Sequence, residues 1–447
     1  MLSKPINSTQ LSFLQPSLKE QLSTKHPLYI LADQINWQLF EESFRKHYRE
    51  DFGRPAKPIR LMVALILLKH IRNLSDESVV EQWSENGYYQ YFSGGQAFTP
   101  AAPCEASELV HFRNRIGSEG IELILKESIR INGKDGKEDT GSIDTTVQEK
   151  NITYPTDSKL HRKIIKKCHA IVGKEGLELR QSYTRTLKRL GIDQRFRSHP
   201  KNGKKARRAD RKVKTIAGRL VRELGRKLTP DQYSGELTLF SKVLKQKQKD
   251  KNKIYSLHEP DVKCISKGKE HKKYEFGSKV SITVTRNSGV IIGALNIPGN
   301  DYDGHTLKAA IEQQQRLTGH VLKEVAVDRG YRGTSLVSGT QIHTPKPFSK
   351  KMSTYLRAKR RKGFSRRAAI EPKIGHLKAD HRLSRNFYKG IKGDDINVML
   401  AAAAMNFKRM MNIWKKQIWQ LFLPACFYDH FLNKKSFCYS ESCKMTF

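Results

Sequence analysis

The sequence has few acidic residues and no long apolar run. Asp and Glu together number 44, against 83 for Lys and Arg. The longest apolar stretch near the C-terminus, residues 418–428, is interrupted by Gln420 and Pro424 and is too short to span a bilayer. Residues 1–18 contain no apolar core of the length that a signal peptide needs. We therefore expect a cytoplasmic protein that is neither secreted nor embedded in a membrane.

Cysteine is also scarce, with six residues scattered over the chain. Only Cys438 and Cys443 lie close together, and no second pair stands near them to complete a zinc site. Free thiols in a reducing compartment are the favoured interpretation, and a zinc site is the weaker alternative.

The chain has a large excess of positive charge. Its formal net charge is +39 over 447 residues. A protein this basic repels itself unless it meets a polyanion, so nucleic acid is the leading partner and an anionic membrane surface the weaker one. The excess is greatest at residues 159–253, which contain 30 basic and 8 acidic residues. Because a merely solvated surface usually mixes both signs, this bias favours contact with phosphates.

Local patterns predict a helical first part and an α/β second part. Residues 59–70 are typical of a buried helix, Ser75 of the N-cap of the next one, and a third helix is predicted from about Ser107. Such helices occur both in DNA-binding modules and in plain bundles, and the pattern does not choose between them. Further on, the sequence predicts strands at 142–147, 279–285, 290–295 and 324–328, and helices at 305–317, 365–379 and 395–411. This mixture predicts an α/β fold, with the basic segment as a helical insertion after the first strand.

Three acidic residues are candidates for chemistry on phosphodiesters. Asp144 lies in the middle of a predicted strand, where Asp is disfavoured, Asp328 ends another strand, and Glu371 lies in a basic helix. Converging carboxylates are what Mg²⁺ needs. Structural explanations stay open, because either Asp could cap a turn and Glu371 could pair with Arg367 four residues earlier. In a regular helix, Arg367, Glu371 and Lys378 would share one face.

Two further acids, Asp301 and Asp303, precede a predicted helix. They could replace one of the three candidates, but a turn followed by a helix cap is the favoured interpretation.

The sequence around the three candidate acids resembles the DDE transposases of bacterial insertion sequences, specifically the IS-five family. The family pattern Tyr-x2-Arg-x3-Glu-x6-Lys is matched, with Phe in place of Tyr, by Phe364, Arg367, Glu371 and Lys378. Segments 142–158 and 327–333 resemble the surroundings of the first and second acids. The similarity extends over most of residues 40–412.

The resemblance implies an RNase H-like catalytic core in which Asp144, Asp328 and Glu371 are catalytic and hold two Mg²⁺ or Mn²⁺ ions. It implies double-stranded DNA as the partner, both the terminal inverted repeats of the element and the target. A homo-oligomer associated with the bacterial nucleoid is expected. The residues expected to bind DNA phosphates are Arg329, Arg332, Arg367 and Lys378.

These expectations divide the chain into three parts. A helical N-terminal DNA-binding domain is predicted at 1–140, and an RNase H-like domain at 141–412 with its basic insertion at 159–255. The tail, 413–447, has no assigned role. Two rival functions stay open: a metal-dependent DNA nuclease without strand transfer, and a non-catalytic basic DNA-binding protein such as a decayed transposase.

Overall fold

The computed structural model describes residues 16–49, 53–229, 232–247, 249–266, 272–333, 335–345 and 352–422. The Cys438 and Cys443 pair lies outside the described residues, as does most of the predicted tail. Within the described ranges, Cys104, Cys168 and Cys264 are free thiols. No helix of these ranges combines the length and the hydropathy that crossing a bilayer would require.

The first part of the chain is helical, as predicted. Its helices are α1 (Leu18–Gln21), α2 (Pro27–Gln34), α3 (Trp37–Arg45), α4 (Ile59–Ile71), α5 (Asp76–Glu85), α6 (Gly87–Phe92) and α7 (Ala106–Ile131). Nearly every residue of α4 is buried, because its apolar side chains cover the whole helix circumference. Ser75 caps α5 as predicted, since its hydroxyl accepts a hydrogen bond from the N–H of Ser78 at 3.0 Å.

The second part is built on one mixed sheet. Its strands are β1 (Thr140–Lys150), β2 (Lys263–Ser266), β3 (Tyr274–Thr285), β4 (Ile291–Ile297), β5 (Glu324–Ala326), β6 (Leu336–Val337), β7 (Thr340–His343) and β8 (Arg385–Asn386). The sheet order is β2-β3-β1-β5-β7-β6, with β4 also on β3 and β8 also on β1. β3 runs antiparallel to β1 and β4, whereas β5 runs parallel to β1 and β7. The four predicted strands are confirmed.

Helices of the second part lie in the insertion and around the sheet. They are α8 (Asp157–Glu175), α9 (Thr184–Asp193), α10 (Gly203–Lys227), α11 (Ser234–Lys245), α12 (Asp303–Thr318), α13 (Thr354–Ser365), α14 (Ile370–Asp380) and α15 (Gly390–Phe422). The insertion is helical, as predicted. α12 and α15 pack against β4, and α15 also packs against α7 and α4.

Two hydrophobic cores stabilise the described chain. One is continuous from the N-terminal helices into the sheet and α15. The other belongs to the insertion and is formed by α8 to α11 with Ile254 and Leu257. The N-terminal helices and the sheet therefore share their buried surface, whereas the insertion has an interior of its own. The domain boundaries at 140 and 412 stay predictions.

The predicted helix at 365–379 is interrupted. α13 ends at Ser365, residues 366–369 form a 3-10 turn, and α14 begins at Ile370. Pro372 explains the break, because proline has no N–H to donate to the carbonyl four residues earlier. The predicted continuous helix is therefore wrong at residues 366–369, although Arg367 and Glu371 still pair at 3.5 Å across the turn.

Candidate functional site

Asp144 and Asp328 lie at matching positions of two neighbouring strands. β1 and β5 pair in parallel, with Ser142 opposite Ala326. The two aspartates each come two residues later, so the same register carries Asp144 towards Asp328. Neighbouring strands lie about 4.8 Å apart. Carboxylates that are far apart in the sequence thus reach the same part of the sheet.

The side chain of Tyr331 lies among three aspartates. It ends the 3-10 turn Arg329–Tyr331 that follows Asp328, and it is fully buried. Burial raises the pKa of this phenol, and the negative charges of Asp303, Asp144 and Asp328 raise the pKa further. The phenol is therefore protonated and can donate a hydrogen bond.

The hydroxyl of Tyr331 has no hydrogen-bond partner among the described residues. The hydroxyl of Thr145 is near enough to oppose the rise in the pKa of Tyr331. However, it does not meet the geometry of a hydrogen bond with the phenol, and its own bond goes to Asp303. Tyr331 therefore presents an unsatisfied donor to the aspartates.

Asp303, which the sequence offered only as a weaker alternative, lies with Asp144, Asp328 and Tyr331 in one group of side chains, called here the Asp144–Asp328 pocket. It is the first residue of α12, and its Oδ1 accepts hydrogen bonds from Oγ1 of Thr145 at 3.2 Å and from Nζ of Lys279 at 2.9 Å. A methyl group placed on Gly330 would lie 3.3 Å from Oδ2 of Asp303 and 2.9 Å from Oδ1 of Asp328. The two carboxylates thus approach each other over a residue that has no side chain.

Backbone donors fix the two predicted aspartates. Oδ1 of Asp144 accepts a hydrogen bond from the N–H of Thr145 at 2.8 Å, and Oδ1 of Asp328 accepts one from the N–H of Gly330 at 2.7 Å. Their hard oxygens are the donor type that Mg²⁺ prefers. In the described parts of the chain, no three His, Cys, Asp or Glu side chains converge closely enough to hold a metal ion. The aspartates border one pocket without meeting at one point.

Glu371 lies at the exposed start of α14. Its side chain is 65% exposed, and Oε1 lies 3.5 Å from Nη2 of Arg367, which is the ordinary ion pair that the sequence allowed. No contact within the described ranges joins Glu371 to either aspartate. α14 nevertheless packs against β1, and its Ile370 is fully buried. The structure brings the helix to the sheet, but not the carboxylate to the pocket.

The residues predicted to bind DNA surround the same region. Arg329 and Arg332 are exposed in the segment that follows Asp328. Lys378 is half-buried in α14, and Arg367 lies in the 3-10 turn before that helix. Their roles stay predictions.

A basic cleft of about 400 Å³ opens in the N-terminal region. Its basic lining residues are His47, Arg49, Arg54, Lys57, His111 and Arg115, and Glu108 is its acidic one. The guanidinium of Arg115 stacks over the ring of Tyr48 at 4.5 Å from its centroid. By contrast, Arg113 is buried and makes two hydrogen bonds to Asp76, at 2.7 and 2.9 Å. Along α7, His111 and Arg115 therefore line the cleft, whereas Arg113 between them stabilises the core.

The insertion presents a second basic surface on α10. Its apolar residues, including Val213 and Leu220, are buried in the insertion core. Arg208, Arg211 and Lys212 are exposed and line a cleft with Tyr183 of the neighbouring α9 cap. This amphipathic pattern places like charges on one solvent-facing side.

Comparisons with known proteins identify the family of the chain. Residues 16–115 match the family described as a transposase domain (DUF772), and residues 240–407 match the transposase DDE domain. A Rhizobium meliloti protein, described as uncharacterized protein ORF8 in nfe locus, is 43% identical over 183 residues. The match covers 40% of this chain and 88% of that relative. No solved structure matches. The chain belongs to the DDE transposases, as its sequence motifs indicated.

Proposed function

We propose that the protein cleaves DNA at the ends of an insertion sequence and joins those ends to target DNA, with Asp144, Asp328 and Glu371 as its catalytic residues. The proposal depends chiefly on one observation: the parallel pairing of β1 with β5 brings Asp144 and Asp328, 184 residues apart in the sequence, to neighbouring positions, where both charges act on the buried phenol of Tyr331. Membership of the DDE transposases supports the reaction class.

The sheet supports an RNase H-like core. Strands β4, β3 and β1 are antiparallel neighbours, and β5 and β7 follow in parallel on the other side of β1. In this arrangement the first catalytic Asp lies on the central strand and the second follows the adjacent parallel one.

Asp144 and Asp328 would hold divalent cations, and we propose two Mg²⁺ or Mn²⁺ ions per site. The buried, unpartnered phenol and the close approach of the Asp328 and Asp303 carboxylates over Gly330 support binding of a cation beside these carboxylates. When bound, such ions lower the pKa of water and stabilise a leaving oxygen. Glu371 would join this set when Arg367 exchanges its carboxylate partner for a DNA phosphate.

The basic residues of the chain would position the DNA. Arg329, Arg332, Arg367 and Lys378 would bind phosphates near the reacting bond, with Arg in a bidentate way and Lys as a point charge. Water first breaks one phosphodiester bond and leaves a 3′-hydroxyl. That hydroxyl then forms a new bond to a target phosphorus while a target P–O bond breaks, so no covalent link to the protein is needed. Because joining requires both ends together, we propose a homo-oligomer that works on DNA in the cytoplasm.

The test uses the full chain and linear DNA carrying the ends of the element, with and without Mg²⁺ or Mn²⁺. Asp144→Asn, Asp328→Asn and Glu371→Gln should each lose cleavage while gel-shift affinity for the DNA is kept. Asp301→Asn, which changes an exposed carboxylate close to the pocket, is the matched control and should cleave normally. Loss of DNA binding together with cleavage would contradict the assignment.

Pre-cut ends separate the rival functions. A transposase joins pre-cut ends to a second DNA, whereas a metal-dependent nuclease only cuts. A non-catalytic DNA-binding protein shifts the DNA in gels but shows no metal-dependent product.

A further inference from the structure

We propose that Asp303 is a further carboxylate ligand of the divalent cation at the Asp144–Asp328 pocket. This inference depends on the proposed function, because it assumes that this pocket binds the metal. It adds a residue from α12 to a site otherwise formed by β1, the end of β5 and α14.

The position of Asp303 provides the first argument. Its Oδ1 is occupied by Thr145 and Lys279, at 3.2 and 2.9 Å. Its Oδ2 accepts no hydrogen bond from the described residues and lies over Gly330, on the side where Oδ1 of Asp328 also lies. A carboxylate has lone pairs enough on both oxygens to keep its protein donors and still bind a cation.

The buried phenol of Tyr331 provides the second, independent argument. A fully buried hydroxyl without a partner costs free energy, so its persistence next to three carboxylates calls for a reason. A metal pocket supplies one, because carboxylates drawn onto a cation would accept the hydrogen bond of the phenol, as metal ligands do from outer-shell donors.

Lys279 is the cationic partner of Asp303 in this structure. Its ammonium group lies on Oδ1 of Asp303 and also donates to the carbonyl of Asp301 at 2.6 Å. The Lys279 side chain is only 11% exposed, so the charge lies inside the pocket rather than in solvent. A divalent cation must compete with this charge for Asp303.

The experiment measures Mn²⁺ affinity directly, by electron paramagnetic resonance of free Mn²⁺ in the presence of the full-length protein. Asp303→Asn should weaken binding at least about tenfold, within the range known for disturbed metal sites. Asp301→Asn is the matched control, since it removes an exposed carboxylate two residues earlier and should leave the affinity unchanged. Lys279→Met should strengthen binding roughly thirtyfold, which corresponds to removing one like charge about 4 Å from a divalent cation in water-like surroundings. The double variant should lose most of that gain.

The Asp144 and Asp303 variants distinguish an error in the proposed metal site from an error in the role of Asp303. If Asp144→Asn also binds Mn²⁺ normally, the proposed site itself is wrong. If Asp144→Asn loses binding but Asp303→Asn does not, only the role of Asp303 is wrong. Circular dichroism checks that each variant is folded. Should Asp303→Asn fail to fold, Lys279→Met decides alone, because unchanged or weaker Mn²⁺ binding by that variant overturns the inference.

Discussion

The side chains of His70 and Tyr388 meet inside the protein, with Nε2 of His70 3.1 Å from Oη of Tyr388. His70 belongs to α4, and Tyr388 lies in the segment between β8 and α15, so this contact joins the N-terminal helices to the sheet part. Two cations flank the tyrosine ring: Nζ of Lys69 at 4.6 Å and the guanidinium of Arg113 at 4.4 Å from its centroid. Both cations also pair with Asp76, at 2.9 and 2.7 Å, so the contact belongs to a buried polar junction of mixed charge.

This junction predicts a loss of stability in mild acid. Burial lowers the pKa of His70 well below its usual value, and the charges of Lys69, Arg382 and Arg113 lower it further. Burial also lowers the pKa of His381, whose Nδ1 lies 3.0 Å from the carbonyl oxygen of His70. The unfolded chain binds protons at these histidines below about pH 6.5, whereas the folded chain binds them only at lower pH. Stability should thus be full above pH 6.5 and fall as the pH drops, by about 1–2 kcal/mol between pH 7 and pH 5.

Urea unfolding at pH 5, 6 and 7 measures this effect. His70→Gln removes one titrating group and should reduce the pH dependence, while His199→Gln, at an exposed position, should not. If the unfolding free energy falls with pH equally in the wild type and in His70→Gln, the junction does not control stability in acid.

Gly277 is a position at which we expect substitution to destabilise the fold, because it lies where β3 pairs with β1. A Cβ atom added there would overlap the carbonyl oxygen of Gln148, next to its register partner Glu149. Because the obstacle is backbone, the strands cannot keep both their pairing and the methyl group. Gly277→Ala should cost about 3 kcal/mol or more of unfolding free energy.

The matched control for this substitution is Gly173→Ala in α8. That glycine is exposed, and nothing lies within 4 Å of its added methyl group. The same chemical change should there stabilise the protein by about 0.5–1 kcal/mol. Thermal or urea unfolding of both variants checks the opposite signs, and similar effects at both glycines would contradict the steric explanation.

Local sequence patterns were sufficient for the strands and for the positions of Asp144 within β1 and of Asp328 just after β5. Alternating β-branched residues predict β1 and the β3–β4 hairpin, and an acid in such a strand is already unusual. The position of Asp303 could not be predicted, because Thr145 and Lys279 lie 158 and 24 residues away from it in the chain. Only the docking of α12 against the sheet brings them together.

The surroundings of the basic residues could not be predicted from local sequence either. The sequence of α7 shows His111, Arg113 and Arg115 as one cationic group, but Arg113 is buried against Asp76. The break before α14 was in principle readable from Pro372. The exposed position of Glu371 was not, since it depends on how α14 packs against β1.

The last prediction concerns the exposed basic surface of α10, formed by Arg208, Arg211 and Lys212. Binding to DNA phosphates releases counterions, and each lost contact should reduce the slope of log affinity against log salt by about 0.9. Changing all three residues to Gln should therefore flatten that slope by nearly 3 units if all three contact phosphate. The loss of affinity should be similar for end-containing and unrelated DNA, because phosphate contacts carry no sequence information.

Fluorescence anisotropy at several salt concentrations measures both quantities. A triple variant at Lys126, Lys134 and Lys137, which are exposed outside the insertion, removes the same net charge and serves as the control. If binding responds only to total charge, both triple variants will flatten the slope equally. If the insertion contacts DNA, only the α10 variant will show the reduction of nearly 3 units in the slope of log affinity against log salt. Its unfolding free energy will be unchanged, because the substituted side chains lie outside the insertion core.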